Sequence, residues 1–182
     1  MIGIIDSGLG GLLILFKLMK KYHNTNFTLI YDSNFFPYGE KSKEELIDRV
    51  NYIINKYQFE KTILACNTLS SINNWNESIY DIVTPTIKKI LPYKRIGVIA
   101  SRLTIKSNRY QNELSKLKKV CYMYDGQELI NAIEKNDNIE NALDKLFFDD
   151  IDCLILGCTH FIYVKDYFKK FNFNIISQDE LI

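Results

Sequence analysis

The sequence predicts an α/β protein made of two similar lobes, each a mainly parallel sheet layered between helices. Short apolar runs typical of buried strands alternate with longer segments whose apolar residues follow helical spacing. In addition, the run Ile2–Ile5 (IGII) resembles Ile96–Ile99 (IGVI), and turns at Cys66 and Cys158 are separated by nearly the same number of residues. Because alternating strands and helices favour parallel sheets with helices on both faces, we expect two three-layer lobes related by a pseudo-twofold axis.

The first half contains three strand–helix pairs. Strands are predicted at Met1–Ile5, Phe27–Tyr31 and Lys61–Ala65, and helices at Leu12–Tyr22, Lys43–Tyr57 and Leu69–Trp75. Polar turns follow the strands at Asp6–Gly8, Asp32–Glu40 and Cys66–Thr68. The carboxyl ends of parallel strands are where ligands gather in such folds, so these turns are candidate site segments.

The second half repeats this organisation. Strands are predicted at Arg95–Ala100, Val120–Tyr124 and Asp152–Leu156, and helical segments run up to Leu117 and over Gln127–Glu134 and Ile139–Phe147. The polar turns after two of these strands are Ser101–Thr104 and Gly157–His160.

Two of the three prolines fall in Ile82–Lys94, which we interpret as the connection between the halves. The predicted lobes are residues 1–91 and 92–182. If the lobes face each other, Cys66 and Cys158 lie on opposite sides of a cleft, and the active site is expected there.

Composition excludes several classes of protein. Lysine plus arginine (23) nearly balances aspartate plus glutamate (22), which leaves no positive field for a nucleic acid partner. Since apolar runs stay short of the roughly 18 residues of a membrane span and a signal peptide is lacking, we expect a cytoplasmic protein without a membrane partner. The four cysteines are therefore expected to be reduced thiols.

The glycine-rich turn Gly8–Gly11 does not match the dinucleotide fingerprint, which needs a glycine where Leu13 stands. Two interpretations remain. The turn presents Asp6 and Ser7 to an anion or as a positioned carboxylate, or it is simply a tight strand-to-helix connection.

The cysteines divide into two kinds. Cys121 and Cys153 lie inside apolar segments and are interpreted as small buried hydrophobes. Cys66 and Cys158 each follow a strand near an expected helix N-terminus, where free amides stabilise a thiolate or bind a substrate carboxylate.

Histidines leave further alternatives open. Zinc is disfavoured because no C-x-x-C pair occurs and Cys158 with His160 supplies two ligands only. A Cys-His hydrolase remains, with His160 as base for Cys158, and so does a structural role for His160. His23 is interpreted as a polar residue at a helix end.

Four ordered motifs resemble those of glutamate racemase, in the aspartate/glutamate racemase superfamily that works without a cofactor. They are Asp6–Gly11 (DSGLGG), Pro37–Ser42 (PYGEKS), Ala65–Thr68 (ACNT) and Leu156–His160 (LGCTH). The segment Ile96–Ser101 (IGVIAS), with Thr104 and Tyr110, is similar to the opening of the family's second domain.

The resemblance implies an amino-acid racemase in which Cys66 and Cys158 act on opposite sides of the substrate's α-carbon. One thiolate would remove the proton while the opposite thiol delivers another, so each must serve as acid and base. By similarity, Asp6 assists Cys66 and His160 assists Cys158, and Glu134 is loosely aligned with a further assisting carboxylate. The implied substrate-binding residues are Ser7, Pro37, Tyr38, Gly39, Asn67, Thr68, Ser101, Thr104 and Thr159. No cofactor and no metal is implied, the partner is the small molecule glutamate, and the product would supply peptidoglycan.

The match has departures. Ser101 stands where a threonine is usual, and Phe161–Ile162 replaces an aromatic–proline pair after His160. Family members continue beyond the segment matching Asn174–Ser177, so residues 171–182 are interpreted as a truncated return segment. The expected consequences are exposed apolar surface on the first lobe, a looser cleft, or a homodimer that covers that surface.

Three functions therefore remain open at the level of sequence. The first is an active glutamate racemase. The second is a related racemase or a Cys-His enzyme with another substrate. The third is an inactive, shortened relative that binds a ligand.

Overall fold

Two four-stranded, wholly parallel sheets organise the chain. The structure is a computed structural model that describes residues 1–8 and 10–180. The strands are β1 (Ile2–Asp6), β2 (Phe27–Tyr31), β3 (Lys61–Leu64), β4 (Ile79–Asp81), β5 (Arg95–Ala100), β6 (Val120–Asp125), β7 (Cys153–Gly157) and β8 (Asn174–Ile176). The sheet orders are β2-β1-β3-β4 and β6-β5-β7-β8, so the two halves share one topology. The predicted α/β class is confirmed.

Helices flank both sheets. They are α1 (Gly10–Lys21), α2 (Lys43–Tyr57), α3 (Asn67–Ile72), α4 (Val83–Lys89), α5 (Arg102–Lys106), α6 (Arg109–Lys116), α7 (Gln127–Lys135), α8 (Ile139–Asp144) and α9 (Lys165–Phe168). Short 3₁₀ helices occur at Ser33–Phe35, Tyr38–Glu40, Thr159–Val164 and Gln178–Glu180. No helix in the described ranges is both long enough and apolar enough to span a bilayer.

Several elements differ from the sequence-based expectations. The segment Ile82–Lys94, interpreted as a connection, contains α4 and directly follows the unpredicted strand β4. The helix expected to reach Leu117 is two helices separated at Asn108, which adopts a left-handed conformation (φ 56°). Within residues 171–180 the chain adds β8 beside β7, and Gln178–Glu180 contacts α1. Leu181 and Ile182, the end of that predicted segment, lie outside the described residues.

The central strands are buried on both faces, as their continuous apolar runs predict. Ile4, Ile5 and Leu64 are fully buried in the first sheet, and Val98 and Ile155 in the second. Ile5 pairs with Leu64 and Ala100 pairs with Gly157. These registers place Asp6 beside the Cys66 turn, and Ser101 beside Cys158, at the carboxyl edges of the two sheets.

Candidate active site

A narrow cavity lies where the carboxyl edges of the two sheets meet. The predicted residues that line it are Asp6, Ser7, Pro37, Tyr38, Gly39, Cys66, Thr68, Ser101, Cys158, Thr159 and His160. Phe36, Gln127 and Ile130 also line it and were not predicted. The cavity has an empty volume of about 290 Å³, but the centre of a water molecule can occupy only about 20 Å³ of it. Since that is room for about one water, the cleft is nearly closed and must widen to admit a larger ligand.

A larger groove, of about 570 Å³, lies elsewhere on the first half. Its lining is mostly apolar, with Ile14, Tyr22 and Ile79 among the side chains, and it includes none of the predicted site residues. The narrow cavity is the candidate site because it holds the thiols, a histidine and a buried carboxylate.

Cys66 caps the N-terminus of α3 directly after β3 and is 7% exposed. Burial, and next the Asp6 carboxylate, raise the pKa of this thiol to about 12. Hydrogen bonds from the backbone amides of Thr68 and Leu69 act in the opposite direction but are outweighed. The sequence predicted that the helix N-terminus lowers the pKa of Cys66. The amides do lower it, but burial outweighs them, so the predicted net direction was wrong.

Cys158 belongs to a chain of three polar side chains. Its Sγ lies 3.4 Å from His160 Nδ1, and His160 Nε2 lies 2.8 Å from Glu134 Oε2. In the tautomer in which Nε2–H donates to Glu134, Nδ1 accepts from the Cys158 thiol. Burial first, and Cys66 second, raise the pKa of Cys158 well above its ordinary value. Cys158 directly precedes a helix, as expected, and that helix is of the 3₁₀ type (Thr159–Val164).

Asp6 is fully buried at the end of β1 and links the two halves. Its Oδ1 accepts from the backbone N–H of Ser7 at 2.9 Å, and its Oδ2 accepts from the Thr159 hydroxyl at 3.1 Å. Burial raises the pKa of this carboxyl despite the opposing influence of His160 and these hydrogen bonds. A carboxylate with a raised pKa is a stronger proton acceptor than an ordinary aspartate.

A cluster of three hydroxyl groups joins the halves on another side of the cavity. Ser101 Oγ lies 2.8 Å from Thr68 Oγ1 and 2.9 Å from Thr104 Oγ1. Thr104 lies behind the cavity lining, as does Asn67, whose Oδ1 accepts from the Tyr110 hydroxyl at 2.6 Å. Neither lysine nor arginine lines the cavity in the described part of the chain.

Tyr38 is held in the cavity wall by an ion pair that the sequence analysis missed. The Tyr38 hydroxyl donates to Asp32 Oδ2 at 2.7 Å, and Arg49 donates to both oxygens of Asp32. Burial raises the pKa of Asp32, but the hydrogen bonds from Arg49 and Tyr38 together hold it below its ordinary value. The seventeen residues that separate Asp32 from Arg49 give no local signal of this pairing.

In residues 1–8 and 10–180, no three or more His, Cys, Asp or Glu side chains are grouped so as to hold a metal ion. The four cysteines are all unpaired, as expected.

Comparison with known proteins gives the family. No family model matches the sequence. "Glutamate racemase 3" of Caldanaerobacter subterraneus subsp. tengcongensis is 32% identical over 187 residues, which are 93% of this chain and 69% of that protein. Glutamate racemase of Aliarcobacter butzleri is 33% identical, with 93% of this chain and 74% of that protein covered. The crystal structure of Francisella tularensis subsp. tularensis glutamate racemase in complex with D-glutamate superposes with a TM-score of 0.87 and 26% identity, over 99% of this chain and 76% of that chain.

The two halves have the same parallel-sheet topology, and the chain resembles glutamate racemases in both sequence and fold. These features define an amino-acid racemase of the aspartate/glutamate class. The relatives narrow the class further. The chain belongs to the glutamate racemase family.

Proposed function

We propose that this chain interconverts L- and D-glutamate with two thiols, Cys66 and Cys158, and without a cofactor. The observation that carries the proposal is that one thiol from each half lines a single cavity. A single base that returned its own proton to the same face would regenerate the starting enantiomer, so inversion needs a proton donor on the opposite face. A relative crystallised with D-glutamate supports the choice of substrate.

Each thiol has its own proton acceptor under this proposal. When Cys66 acts as base, its proton has first passed to Asp6, and the thiolate takes the α-proton while Cys158–S–H protonates the other face. In the reverse direction His160 takes the proton of Cys158, with Glu134 2.8 Å from the far ring nitrogen stabilising the imidazolium. The raised pKa values of both thiols make each thiolate a strong base.

Neutral donors are proposed to hold the substrate. The proposed substrate-binding residues are Ser7, Pro37, Tyr38, Gly39, Asn67, Thr68, Ser101, Thr104 and Thr159. Hydroxyl and amide donors that are fixed before the reaction stabilise negative charge that develops on the substrate without competing for the α-proton. Thr68 and Ser101 line the cavity and can turn their hydroxyl hydrogens toward a substrate carboxylate, while Thr104 supports Ser101 from behind at 2.9 Å.

The test is racemisation by the purified chain, started from L-glutamate and separately from D-glutamate. We expect activity in both directions and a loss of at least about a thousandfold in Cys66→Ser and Cys158→Ser, which remove the base or the acid. Cys121→Ser is the matched control, since Cys121 lies on β6 outside the cavity.

Full activity of either cavity variant would refute the two-thiol assignment. Thermal stabilisation by glutamate without any turnover would instead indicate a binding protein. Turnover with another amino acid, but not with glutamate, would indicate a racemase of different specificity.

The biological setting is proposed from the family and from surface features. We infer that the D-glutamate supplies peptidoglycan and that the protein works in the cytoplasm, where four unpaired cysteines stay reduced. Depletion of the protein should then be rescued by external D-glutamate. A homodimer is supported by the exposed side chains of Leu12, Phe16 and Met19 along α1, and a monomer in sedimentation equilibrium would contradict it.

A further inference from the structure

The amide of Asn67 is held from behind by two donors. Asn67 is the residue after Cys66, is 1% exposed and begins α3. Its Oδ1 accepts from the Tyr110 hydroxyl at 2.6 Å and from Gln178 Nε2 at 3.3 Å. Both donors come from the second half of the chain, and Tyr110 and Gln178 are fully buried. With the atoms as placed, the amide oxygen of Asn67 faces both donors and the amide nitrogen faces away from them.

The other end of the same amide has no partner. Asn67 Nδ2 is buried and makes no hydrogen bond within the described residues, and the same holds for Gln178 Oε1. A buried amide N–H₂ without an acceptor is costly, so such a group in a native fold calls for a missing partner. Thr68, the next residue along α3, lines the cavity, and Asn67 with its unpaired donor lies behind that lining, where opening of the cleft would have to expose it.

We propose that Gln178 is a positioning residue that fixes the orientation of the Asn67 amide so that Nδ2 donates to a carboxylate of the substrate. The inference rests on the proposed function and extends it to a residue with no contact to the cavity. Gln178 follows β8 and reaches across to the first half. The next residue, Asp179, forms an ion pair with Lys17 of α1, which anchors the segment on the first half.

The nature of residue 178 should decide which end of the Asn67 amide faces the substrate. Glutamine can donate to Asn67 Oδ1 and keep Nδ2 forward. A glutamate there is an acceptor only, so it would attract Nδ2 and turn Oδ1 toward the substrate carboxylate. A methionine fills similar space, offers no hydrogen bond and removes the unpaired Gln178 Oε1.

The test measures KM and kcat of the full chain with Gln178→Met and Gln178→Glu. We expect KM to rise about tenfold in Gln178→Met and more in Gln178→Glu, with a much smaller change in kcat, because the lost interaction holds the substrate before and during the reaction. Gln178→Met should unfold at a temperature close to that of the unaltered chain. Gln111→Met is the control, since Gln111 also carries a buried oxygen without a partner in the described residues but lies on α6, outside the cavity lining.

A double-mutant cycle separates positioning from general structural damage. In an Asn67→Ala background, Gln178→Met should change KM less than twofold, since the amide to be oriented is gone. An equal increase in both backgrounds, or an unchanged KM in Gln178→Met, would overturn the inference. If the unaltered chain shows no turnover, the proposed function fails. The inference is then tested by the dissociation constants for glutamate, which should rise in Gln178→Met and rise further in Gln178→Glu.

Discussion

At Cys66 and Cys158 two influences oppose each other: burial, which disfavours a thiolate, and neighbouring donors, which favour it. The sequence predicted both thiols as candidate catalytic groups, because each follows a buried strand in a polar turn. It predicted the wrong net direction for the thiol pKa, because the local helix terminus is visible in the sequence and the depth of burial is not. A high thiol pKa means that each thiolate is scarce in the free enzyme and strongly basic when it forms.

The raised pKa of Cys66 predicts an alkaline loss of stability. Its folded-state pKa of about 12 exceeds the ordinary value of 9.0, so its contribution to stability is complete below pH 9 and disappears as the pH rises from 9 toward 12. Between pH 9 and pH 10 this thiol alone should reduce the free energy of unfolding by about 1 kcal/mol.

Urea unfolding of the unaltered chain and of Cys66→Ser at both pH values measures this difference. The serine variant should lose about 1 kcal/mol less than the unaltered chain over the same interval. Equal losses in the two proteins would show that Cys66 does not carry a raised pKa.

At the scale of elements, six of the eight described strands were predictable, and the short edge strands β4 and β8 were not. Phe27–Tyr31, Lys43–Tyr57 and Arg95–Ala100 were predicted with the bounds that the structure has, since apolar runs and helical spacing are local signals. The strands β4 and β8 were missed because each has three residues and little burial, which leaves no apolar run to detect. The helix α4 was missed because of Pro85, which is tolerated in the first turn, where the backbone N–H groups have no partner within the helix.

The first turn of α1 packs directly on the turn that carries Thr159. A Cβ atom on Gly10 would lie 2.1 Å from Thr159 Cβ and 2.8 Å from its backbone carbon. The close approach of these two turns positions Thr159, which donates to Asp6. A side chain at position 10 would overlap Thr159, so only glycine, which lacks a Cβ atom, fits at the start of α1.

Gly10→Ala tests this packing, because helix propensity and the contact with Thr159 predict opposite changes in stability. Helix propensity alone predicts stabilisation of up to about 1 kcal/mol. The clash with Thr159 predicts instead a loss of about 1–3 kcal/mol in the free energy of unfolding and a lower kcat/KM. Lys20→Ala, at an exposed position of the same helix, is the control and should change both quantities little. Stabilisation by Gly10→Ala would contradict the described approach of the two turns.

At the scale of the molecule, two halves of one topology place equivalent strand ends against one shared cavity. The internal resemblance and the four motifs were sufficient to predict this arrangement, because both are properties of the sequence alone. Contacts between the halves could not be predicted in the same way. Gln127, which enters the cavity wall, and Gln178, which reaches Asn67, depend on how the halves meet, and no local pattern marks either residue.

The nearly closed cavity belongs to this scale as well. Gly39 of the first half lies so close to the second half that a Cβ atom there would be 2.5 Å from Gln127 Oε1. Asn131 Nδ2 donates to Glu40 Oε1 across the same seam at 3.2 Å. Since these contacts close the cleft over the thiols, substrate entry requires the halves or the Pro37–Glu40 turn to move apart.

The most direct measurement of the central claim follows the α-hydrogen during a first turnover of L-glutamate in deuterium oxide. If two thiols act from opposite faces, the D-glutamate formed early carries solvent deuterium at the α-carbon, while the remaining L-glutamate still carries protium. D-glutamate that retains the original hydrogen, or deuterium that enters L-glutamate as fast as the product forms, would contradict inversion by two opposed thiols.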